Sequence, residues 1–365
     1  MSKILYVAST LSHIKSFHMP YIEALRSEGH TVLIMAKGEG ADFNIPFRKK
    51  ILSSQNRKCR KMIKEILAKE NFDSIILNTS LAAYHVRMAA GKRRPVILNV
   101  VHGYLFSQNN RGVKAKIKAK LFLFAEQLLR GRTDSVITMN GEDYEIAKKY
   151  KLATSVENSR GMGIPQKAEV VSPEVIREEL SAIGRYVLLF VGELSRRKNQ
   201  QLLIKALPQI REKIPEAELW LMGEGDEREA LEALSAELKV AERVKFLGRR
   251  ENPTDYMRAA DLYVSPSKIE GLPFNVAEAM SVGSVCLLSD VKGHRDLACG
   301  EAAFLFDSDS VDALVKGVTD IYEGNKALDK DSVLAGYQRF SFDSVFAETY
   351  EKIKRHIGAG EDQNG

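Results

Sequence analysis

The chain has 365 residues, of which 44% are hydrophobic and 28% charged, which favours a globular protein with two domains. No apolar run approaches the ~20 residues of a membrane span, and the first one, at 4–8, is too short for a signal peptide. The three cysteines are widely spaced, form no metal-ligand pattern and fit a reducing compartment. We therefore expect a cytoplasmic protein that does not cross a membrane.

Charge is distributed unevenly along the chain. Residues 1–165 contain 28 Lys and Arg against 13 Asp and Glu, a net charge of +15, whereas the remainder has 26 against 35, a net charge of −9. This asymmetry favours two domains with different partners. A basic half can meet nucleic acid, an anionic membrane or a phosphorylated acceptor, but the absence of zinc-finger spacing, of an RNP pattern and of a basic tail argues against nucleic acid.

Short β-rich runs alternate with helical periodicity. They predict a first series of strands and, after a break, a second one, at 4–9, 31–36, 74–78, 96–102 and 135–139, then 187–191, 218–222, 244–247, 262–265, 285–289 and 303–306. Helices are predicted between most of them, for example at 20–26, 62–69, 201–210 and 226–238. Such alternation predicts an α/β fold with parallel, doubly wound sheets, whose ligands bind beyond the carboxyl ends of the strands.

The break between the two series marks the expected domain boundary. The Gly-Met-Gly-Ile-Pro loop at 161–165 is the expected hinge between a domain at 1–165 and a second one at 166–340. A further helix is predicted at 341–357, and the polar tail at 358–365 is expected to be disordered.

Three histidines of the first domain fall in loops that follow strands. The loop expected at 9–18 contains His13, Lys15 and His18, which could bind an acceptor or phosphate, although capping and packing explain them equally well. His102 ends a predicted strand; a lone histidine is more often structural, but this position is where ligands of such sheets bind.

The most basic stretch is at 111–132. Five apolar residues recur there at helical spacing with lysines around them: Val113, Ile117, Leu121, Phe124 and Leu128. A basic amphipathic helix can lie on an anionic membrane surface, and packing of the stripe into the core is the equal alternative. Phe122, Leu123 and Leu129 lie off the stripe, which slightly favours surface contact.

In the second domain, Glu270 and Glu278 lie on either side of a Gly-Leu-Pro-Phe sequence that follows a predicted strand. Pro273 is expected at the first position of a helix, with Glu270 in the loop before it and Glu278 about a turn and a half inside. Both carboxylates can then flank a helix N-terminus, which attracts phosphate, while they bind sugar hydroxyls. Two solvated glutamates on a surface helix are the equal alternative.

Two aspartates, Asp307 and Asp309, match the D-x-D pattern of metal-dependent glycosyltransferases. They directly precede a predicted helix that begins near Val311, so helix capping explains them better than metal binding.

The segment 267–280 resembles the E-x7-E signature of retaining, GT-B-fold glycosyltransferases of glycosyltransferase family 4. The likeness continues through Gly283 and the Ser-Asp-Val-Lys-Gly run at 289–293, and it covers nearly the whole chain. It implies two Rossmann-like domains facing a cleft, the first binding the acceptor and the second the nucleotide-sugar donor. The C-terminal helix would cross back onto the first domain.

The same resemblance implies roles for individual residues. Glu270 would contact the donor sugar and Glu278 the ribose, with the diphosphate bound by the backbone of Gly271, Leu272, Pro273 and Phe274. The loop that begins at Gly192 has the family form G-R-L-x-x-x-K-G, in which the Arg and Lys hold the diphosphate. Lys198 matches the lysine, but Glu193 occupies the arginine position, so that Arg197 or Arg196 would supply that charge.

Further positions carry weaker family likeness. Gly223 begins a Gly-x-Gly turn typical of the family, although a purely structural turn explains it as well, and Leu247 lies where the backbone of relatives binds the base. His102 matches a cleft histidine beside the donor sugar and would position that sugar.

The implied activity is retaining transfer of a hexose or N-acetylhexosamine from a UDP-sugar to a saccharide acceptor, possibly linked to polyprenyl diphosphate. The loop at 9–18 resembles a subgroup of bacterial capsule and exopolysaccharide synthesis. Lys198 and the helix N-terminus would balance the diphosphate charge, so we expect no metal and no cofactor. A nucleotide-sugar 2-epimerase and a non-catalytic GT-B scaffold are the alternatives.

Overall fold

The computed structural model describes residues 1–91, 94–104 and 113–357, apart from the side chains of residues 114 and 115. The chain divides into two compact units. Unit 1 comprises Met1–Met162 and the chain from Val345 onward, and unit 2 comprises Gly163–Ser344. The tail expected at 358–365 and the beginning of the basic stretch, 111–112, lie outside the described residues.

Unit 1 contains a parallel sheet, whose strands are β1 (Lys3–Thr10), β2 (Thr31–Lys37), β3 (Phe43–Asn44), β4 (Ser74–Leu77), β5 (Val96–Val101), β6 (Ser135–Thr138) and β7 (Ser155–Asn158). Their order is β3-β2-β1-β4-β5-β6-β7, which reverses between β1 and β4. The helices in the first segment of unit 1, which ends at Met162, are α1 (Leu11–Phe17), α2 (Met19–Ser27), α3 (Ser54–Lys69), α4 (Ser80–Ala89), α5 (Val113–Leu129) and α6 (Gly141–Lys149).

Unit 2 contains a second parallel sheet, whose strands are β8 (Tyr186–Val191), β9 (Ala217–Met222), β10 (Val244–Gly248), β11 (Leu262–Ser265), β12 (Cys286–Ser289) and β13 (Phe304–Phe306). Their order is β10-β9-β8-β11-β12-β13, which reverses between β8 and β11. The helices are α7 (Pro173–Glu179), α8 (Gln201–Lys213), α9 (Arg228–Glu237), α10 (Pro253–Ala259), α11 (Phe274–Ser281), α12 (Lys292–Ala298), α13 (Val311–Tyr322) and α14 (Lys330–Gln338). The predicted α/β class with two doubly wound parallel sheets is confirmed.

The central strands are continuous apolar runs because both faces of each sheet are covered. In β1, the side chains of Ile4, Leu5 and Val7 are completely buried, and Leu189 and Phe190 are so in β8. None of the described helices combines the length and apolar character that crossing a membrane requires.

The last helix, α15 (Phe342–Ile357), begins in unit 2 and continues into unit 1. Within unit 1 it is joined to the sheet by side-chain hydrogen bonds: Ser135 Oγ lies 2.8 Å from His356 Nδ1, and Ser74 Oγ donates to the carbonyl of Ile357 at 3.1 Å. The helix predicted at 341–357 is therefore present, starting one residue later.

Three local predictions were wrong. The segment expected as a loop at 9–18 contains helix α1, whose buried Leu11 and Ile14 are one turn apart, a stretch too short to show helical periodicity. The edge strands β3 and β7 were missed because β3 has only two residues and β7 is largely polar. Pro273 is the N-cap residue of α11 and not its first helical residue.

The apolar stripe of α5 faces solvent. Its members are between 55% and 74% exposed: Val113, Ile117, Leu121, Phe124 and Leu128. The helix packs on unit 1 through residues off the stripe, with Phe122 and Leu123 against the core and Leu129 buried. Of the two alternatives left open by the sequence, packing of the stripe into the core is wrong.

Candidate functional site

The candidate site lies at the carboxyl ends of β8 and β11, where the strand order of unit 2 reverses. The loop after β8 carries Arg197 and Lys198, and the loop after β11 carries Glu270. At such a reversal, the connections leave the two strands towards opposite faces of the sheet and open a crevice for ligands. The topology thereby joins Lys198 and Glu270, which are 72 positions apart in sequence.

The carboxylate of Glu270 is bound by two cations. Its Oε1 accepts a hydrogen bond from Lys198 Nζ at 2.7 Å, and its Oε2 accepts one from Arg197 Nη1 at 3.2 Å. Glu270 and Lys198 are buried, whereas the side chain of Arg197 is 44% exposed. With two positive charges and one negative charge, this cluster has a net positive charge. The partly exposed Arg197 makes it accessible to solvent.

The cations keep Glu270 ionised in spite of its burial. Burial alone raises the pKa of a carboxyl group, but Lys198 and Arg197 outweigh this effect and lower the pKa of Glu270 to about 2. At neutral pH the residue is therefore a charged acceptor for hydrogen bonds and not a proton donor.

Two contacts hold the loops after β8 and β11 together. Asn199 Nδ2 donates to the carbonyl of Pro266 at 3.2 Å, and the backbone N–H of Lys268 donates to the carbonyl of Arg197 at 2.9 Å. Asn199 has a φ of +60°, a left-handed conformation that glycine adopts without strain and asparagine tolerates. Asparagine at the position of the family's glycine therefore preserves the backbone turn.

The Gly223-Glu224-Gly225 turn is explained by backbone packing. A Cβ atom on Gly223 would collide with the carbonyl of Gly192, and one on Gly225 would collide with that of Leu194. The loop is also joined by a hydrogen bond from the N–H of Leu194 to the carbonyl of Glu224, at 3.0 Å. These glycines fix the loop that leads to Lys198.

A third loop, after β12, supports the Gly271 backbone and contributes a residue that the sequence analysis missed. A Cβ on Gly293 would collide with the carbonyl of Gly271, so α12 begins in direct contact with the predicted diphosphate-binding segment. The next residue, His294, is completely buried, and its Nδ1 lies 2.8 Å from the carbonyl oxygen of Ser289. Burial lowers the pKa of His294 to about 4, although the nearby charge of Glu270 acts in the opposite direction.

The N-terminus of α11 is built for backbone contacts. Its N-cap residue is Pro273, which has no side-chain acceptor for the first N–H groups of the helix. Asn275 fixes this helix against β8 by donating through Nδ2 to the carbonyl of Val191 at 2.7 Å and to the hydroxyl of Tyr263 at 2.8 Å. A helix N-terminus without a side-chain cap is suited to an anionic ligand.

Glu278 occupies a more open position on α11. Its Oε1 lies 3.1 Å from Nζ of Lys167, and the two side chains are 24% and 43% exposed. Lys167 follows the boundary loop, and no sequence motif pointed to it. A partly exposed ion pair of this kind is weak and can be exchanged for a ligand.

The structure distinguishes Arg197 from Arg196, between which the sequence analysis did not decide. Arg197 binds Glu270, whereas Arg196 is 90% exposed and forms an ion pair with Glu227 at 3.1 Å. The backbone carbonyl of Glu193 accepts a hydrogen bond from Gln200 at 2.8 Å. Of the two arginines, Arg197 is therefore the one that belongs to the Glu270 cluster.

The expected capping by Asp307 and Asp309 is wrong in detail. The N-cap residue of α13 is Ser310, whose side chain accepts a hydrogen bond from the N–H of Ala313 at 3.0 Å.

Leu247 lies in β10, at the edge of the sheet, where its side chain is buried.

In unit 1, His102 follows β5 and lies beside His13 of α1 and His18, which directly follows α1. The ring centroid of His102 is 5.0 Å from those of both His13 and His18. The sequence predicted each of these residues as a candidate separately, and the fold brings them together at the carboxyl ends of the strands.

Residues 172–337, which include the whole site of unit 2 except Lys167, match the family model described as "Glycosyl transferases group 1". The putative glycosyltransferase EpsD of Bacillus subtilis is 28% identical over 88% of this chain and 87% of its own length. The UDP-Gal:α-D-GlcNAc-diphosphoundecaprenol α-1,3-galactosyltransferase of Escherichia coli is 25% identical over 70% of this chain and 67% of its own.

Solved structures share the fold. A sucrose-phosphate synthase from Thermosynechococcus elongatus superposes with a TM-score of 0.79 over 98% of this chain and all of its own, at 19% identity. Anabaena HepE in complex with UDP-glucose superposes with a TM-score of 0.74 over 97% of this chain and all of its own, at 20% identity. The GT-B architecture expected from the sequence is thereby confirmed.

The low pKa of Glu270 predicts how stability depends on pH. A carboxyl group whose folded-state pKa lies below its unfolded value stabilises the protein above the unfolded pKa, and this contribution is lost as the pH falls towards the folded value. From the ordinary 4.5 to about 2, the expected loss between pH 6 and pH 3 is about 2 kcal/mol. The difference in unfolding free energy between wild type and Glu270→Gln should therefore shrink by this amount in urea titrations.

The variant Glu278→Gln is the matched control for that experiment. It removes a carboxylate from a more exposed ion pair, so its effect should be smaller at every pH. A wild-type–Glu270→Gln difference that stays constant from pH 6 to pH 3 would contradict the assignment of a low pKa to Glu270.

Proposed function

We propose that this chain, which matches the family model of the group 1 glycosyl transferases over residues 172–337, transfers a hexose or N-acetylhexosamine from a UDP-sugar to a saccharide acceptor with retention of anomeric configuration. The observation that carries the proposal is the cluster of Lys198, Arg197 and Glu270 at the strand reversal of unit 2, next to the segment before α11.

In this proposal the positive charge of the cluster stabilises the departing diphosphate. Lys198 and Arg197 supply two cations against the single charge of Glu270, and the N-terminus of α11 adds N–H groups without a side-chain cap. Electrostatic groups fixed in place before the reaction stabilise developing charge without reorganising. We therefore propose that the diphosphate site needs no divalent metal ion.

Glu270 is proposed to orient the donor sugar. Its carboxylate remains charged at neutral pH, which lets it accept hydrogen bonds from sugar hydroxyls. Both of its oxygens already interact with cations, which lowers their basicity and makes a covalent nucleophile an unfavourable role. We propose that Glu278 binds the ribose in exchange for Lys167, and that the backbone near Gly223 and Leu247 contacts the nucleotide.

UDP is the proposed nucleotide. The E. coli relative is named for a UDP-Gal donor and a GlcNAc-diphosphoundecaprenol acceptor, and HepE was solved with UDP-glucose. These names support a UDP-sugar donor and a lipid-linked saccharide acceptor, and we propose a role in the synthesis of a cell-surface polysaccharide. We further propose that His102 contributes to positioning a sugar.

A membrane-bound acceptor is consistent with the surface of α5. The ion pair between Arg87, which is buried in α4, and Glu126 on α5 joins the two helices through hydrogen bonds of 2.8 and 2.9 Å. This contact and the packing of Phe122 leave the apolar stripe outside, next to the exposed Lys116 and Lys120. We propose that this face lies on an anionic membrane surface, at the inner side of the membrane.

Proton NMR of UDP-sugars incubated with the full-length protein and a saccharide acceptor tests the activity. We expect release of UDP, with the first-formed product keeping the anomeric configuration of the donor. Lys198→Ala should slow this release by roughly 100-fold or more, because it removes a cation at the leaving group. The exposed Lys268 lies two residues before Glu270, and Lys268→Ala should have little effect.

Other outcomes of the same experiment would reject the proposal. Appearance of a new UDP-sugar epimer would identify an isomerase, and product of the opposite anomeric configuration would exclude retention. Absence of turnover with UDP-glucose, UDP-galactose and UDP-N-acetylglucosamine would favour a non-catalytic scaffold.

Co-sedimentation with vesicles tests the membrane contact. The wild type should bind vesicles containing phosphatidylglycerol better than vesicles of phosphatidylcholine alone, and Phe124→Glu should weaken this binding about tenfold or more. Leu52→Glu is the control, because Leu52 is an equally exposed apolar residue of unit 1 outside α5. Equal loss in both variants, or no preference for anionic lipid at moderate salt, would contradict the proposal.

A further inference from the structure

Three histidines of unit 1 converge, although His102 is distant in sequence from His13 and His18. His13 lies in α1, His18 directly follows that helix, and His102 follows β5. Their ring centroids form a nearly equilateral triangle, with separations of 5.1, 5.0 and 5.0 Å. One ligand nitrogen from each ring lies within 4.8 Å of those of the other two.

This geometry is that of imidazoles around one ion. Two nitrogens that each lie about 2.0–2.1 Å from a tetrahedral Zn²⁺ are about 3.3 Å apart, and the centroids of their rings are about 5.2 Å apart. The observed distance between Nε2 of His13 and Nε2 of His18 is 3.3 Å. A hydrogen bond between two neutral imidazoles also gives this distance, and edge-to-face ring packing gives centroid separations of about 4.5–7 Å, so the metal assignment is made on the convergence of one nitrogen from each of the three rings.

The hydrogen bond between His18 and Tyr6 is compatible with the tautomer that a metal ion needs. Nδ1 of His18 lies 3.0 Å from the hydroxyl of the buried Tyr6. If Nδ1–H donates to Tyr6, the lone pair of Nε2 is directed towards His13 and is free to bind a cation. Metal-binding histidines commonly donate their second N–H to a fixed oxygen in this way.

We propose that His13, His18 and His102 bind one Zn²⁺, or a similar first-row transition-metal ion, in unit 1. Imidazole nitrogen suits these ions, whereas Mg²⁺ and Ca²⁺ prefer oxygen ligands.

Imidazole binds metal ions in its neutral form. Because neutral ligands do not balance the charge of the ion, we expect an anionic oxygen ligand, such as hydroxide or phosphate, in the fourth position.

The three histidines belong to unit 1, whereas the proposed diphosphate site, which stays metal-free in our proposal, is built from residues of unit 2. Binding of Zn²⁺ in unit 1 can therefore be tested without a sugar donor, and either proposal can fail without the other.

Metal content after dialysis against Zn²⁺ and a competing chelator tests the inference on the full-length, tag-free protein. The wild type should retain one Zn²⁺ per chain, and Mg²⁺ should not displace it. His13→Gln should weaken Zn²⁺ binding at least tenfold, and Tyr6→Phe, which removes only the oxygen that holds His18, should weaken it by about 10–100-fold. Co²⁺ bound in place of Zn²⁺ should give the visible absorption of a four-coordinate site.

His30→Gln is the matched control, since His30 is a histidine of unit 1 outside the cluster, beside the N–H of Ser2. It should bind Zn²⁺ as tightly as the wild type does. The inference is overturned if the wild type retains no Zn²⁺ at micromolar concentrations, or if His13→Gln binds Zn²⁺ as tightly as His30→Gln does.

Discussion

The buried ion cluster of Glu270, Lys198 and Arg197 is the interaction on which the proposed donor site depends. Removing charges from water costs several kcal/mol per ion, and a buried ion pair often adds little to stability compared with apolar residues of similar size. The cluster is therefore better explained by ligand binding than by folding. In the proposed function, the net positive charge of the cluster favours the binding of an anion. The burial of Glu270 places a charged hydrogen-bond acceptor for sugar hydroxyls away from competing water.

Close approach of backbone segments holds this cluster in place. The loop after β8 packs on Gly223, and the segment after Glu270 packs on Gly293, so larger residues at either glycine would displace the loops that carry the charges. Asn275 adds a third connection, from α11 to the end of β8. The site is thus supported by neighbouring strands of one sheet, which positions it more rigidly than a single loop could.

Much of this arrangement could be predicted from the sequence, because apolar runs of parallel strands and loops at their carboxyl ends have a clear signal. Glu270 and Lys198 were found in this way, together with the family resemblance. The sequence could not decide between Arg196 and Arg197, since adjacent residues differ only in the direction of their side chains. His294 was missed altogether. The clustering of His102 with His13 and His18 was not predicted, because it arises from strand order and not from spacing along the chain.

Calorimetric titration with UDP in the presence of EDTA tests the central claim most directly, using the adjacent arginines as a matched pair. The wild type should bind UDP without a divalent metal ion, and Arg197→Ala should weaken binding about 10-fold or more, because a charge-assisted hydrogen bond to the diphosphate is lost. Arg196→Ala, which removes an arginine paired with Glu227, should change the affinity by less than about threefold. Equal losses in the two variants, or binding that requires a divalent metal ion, would contradict the account.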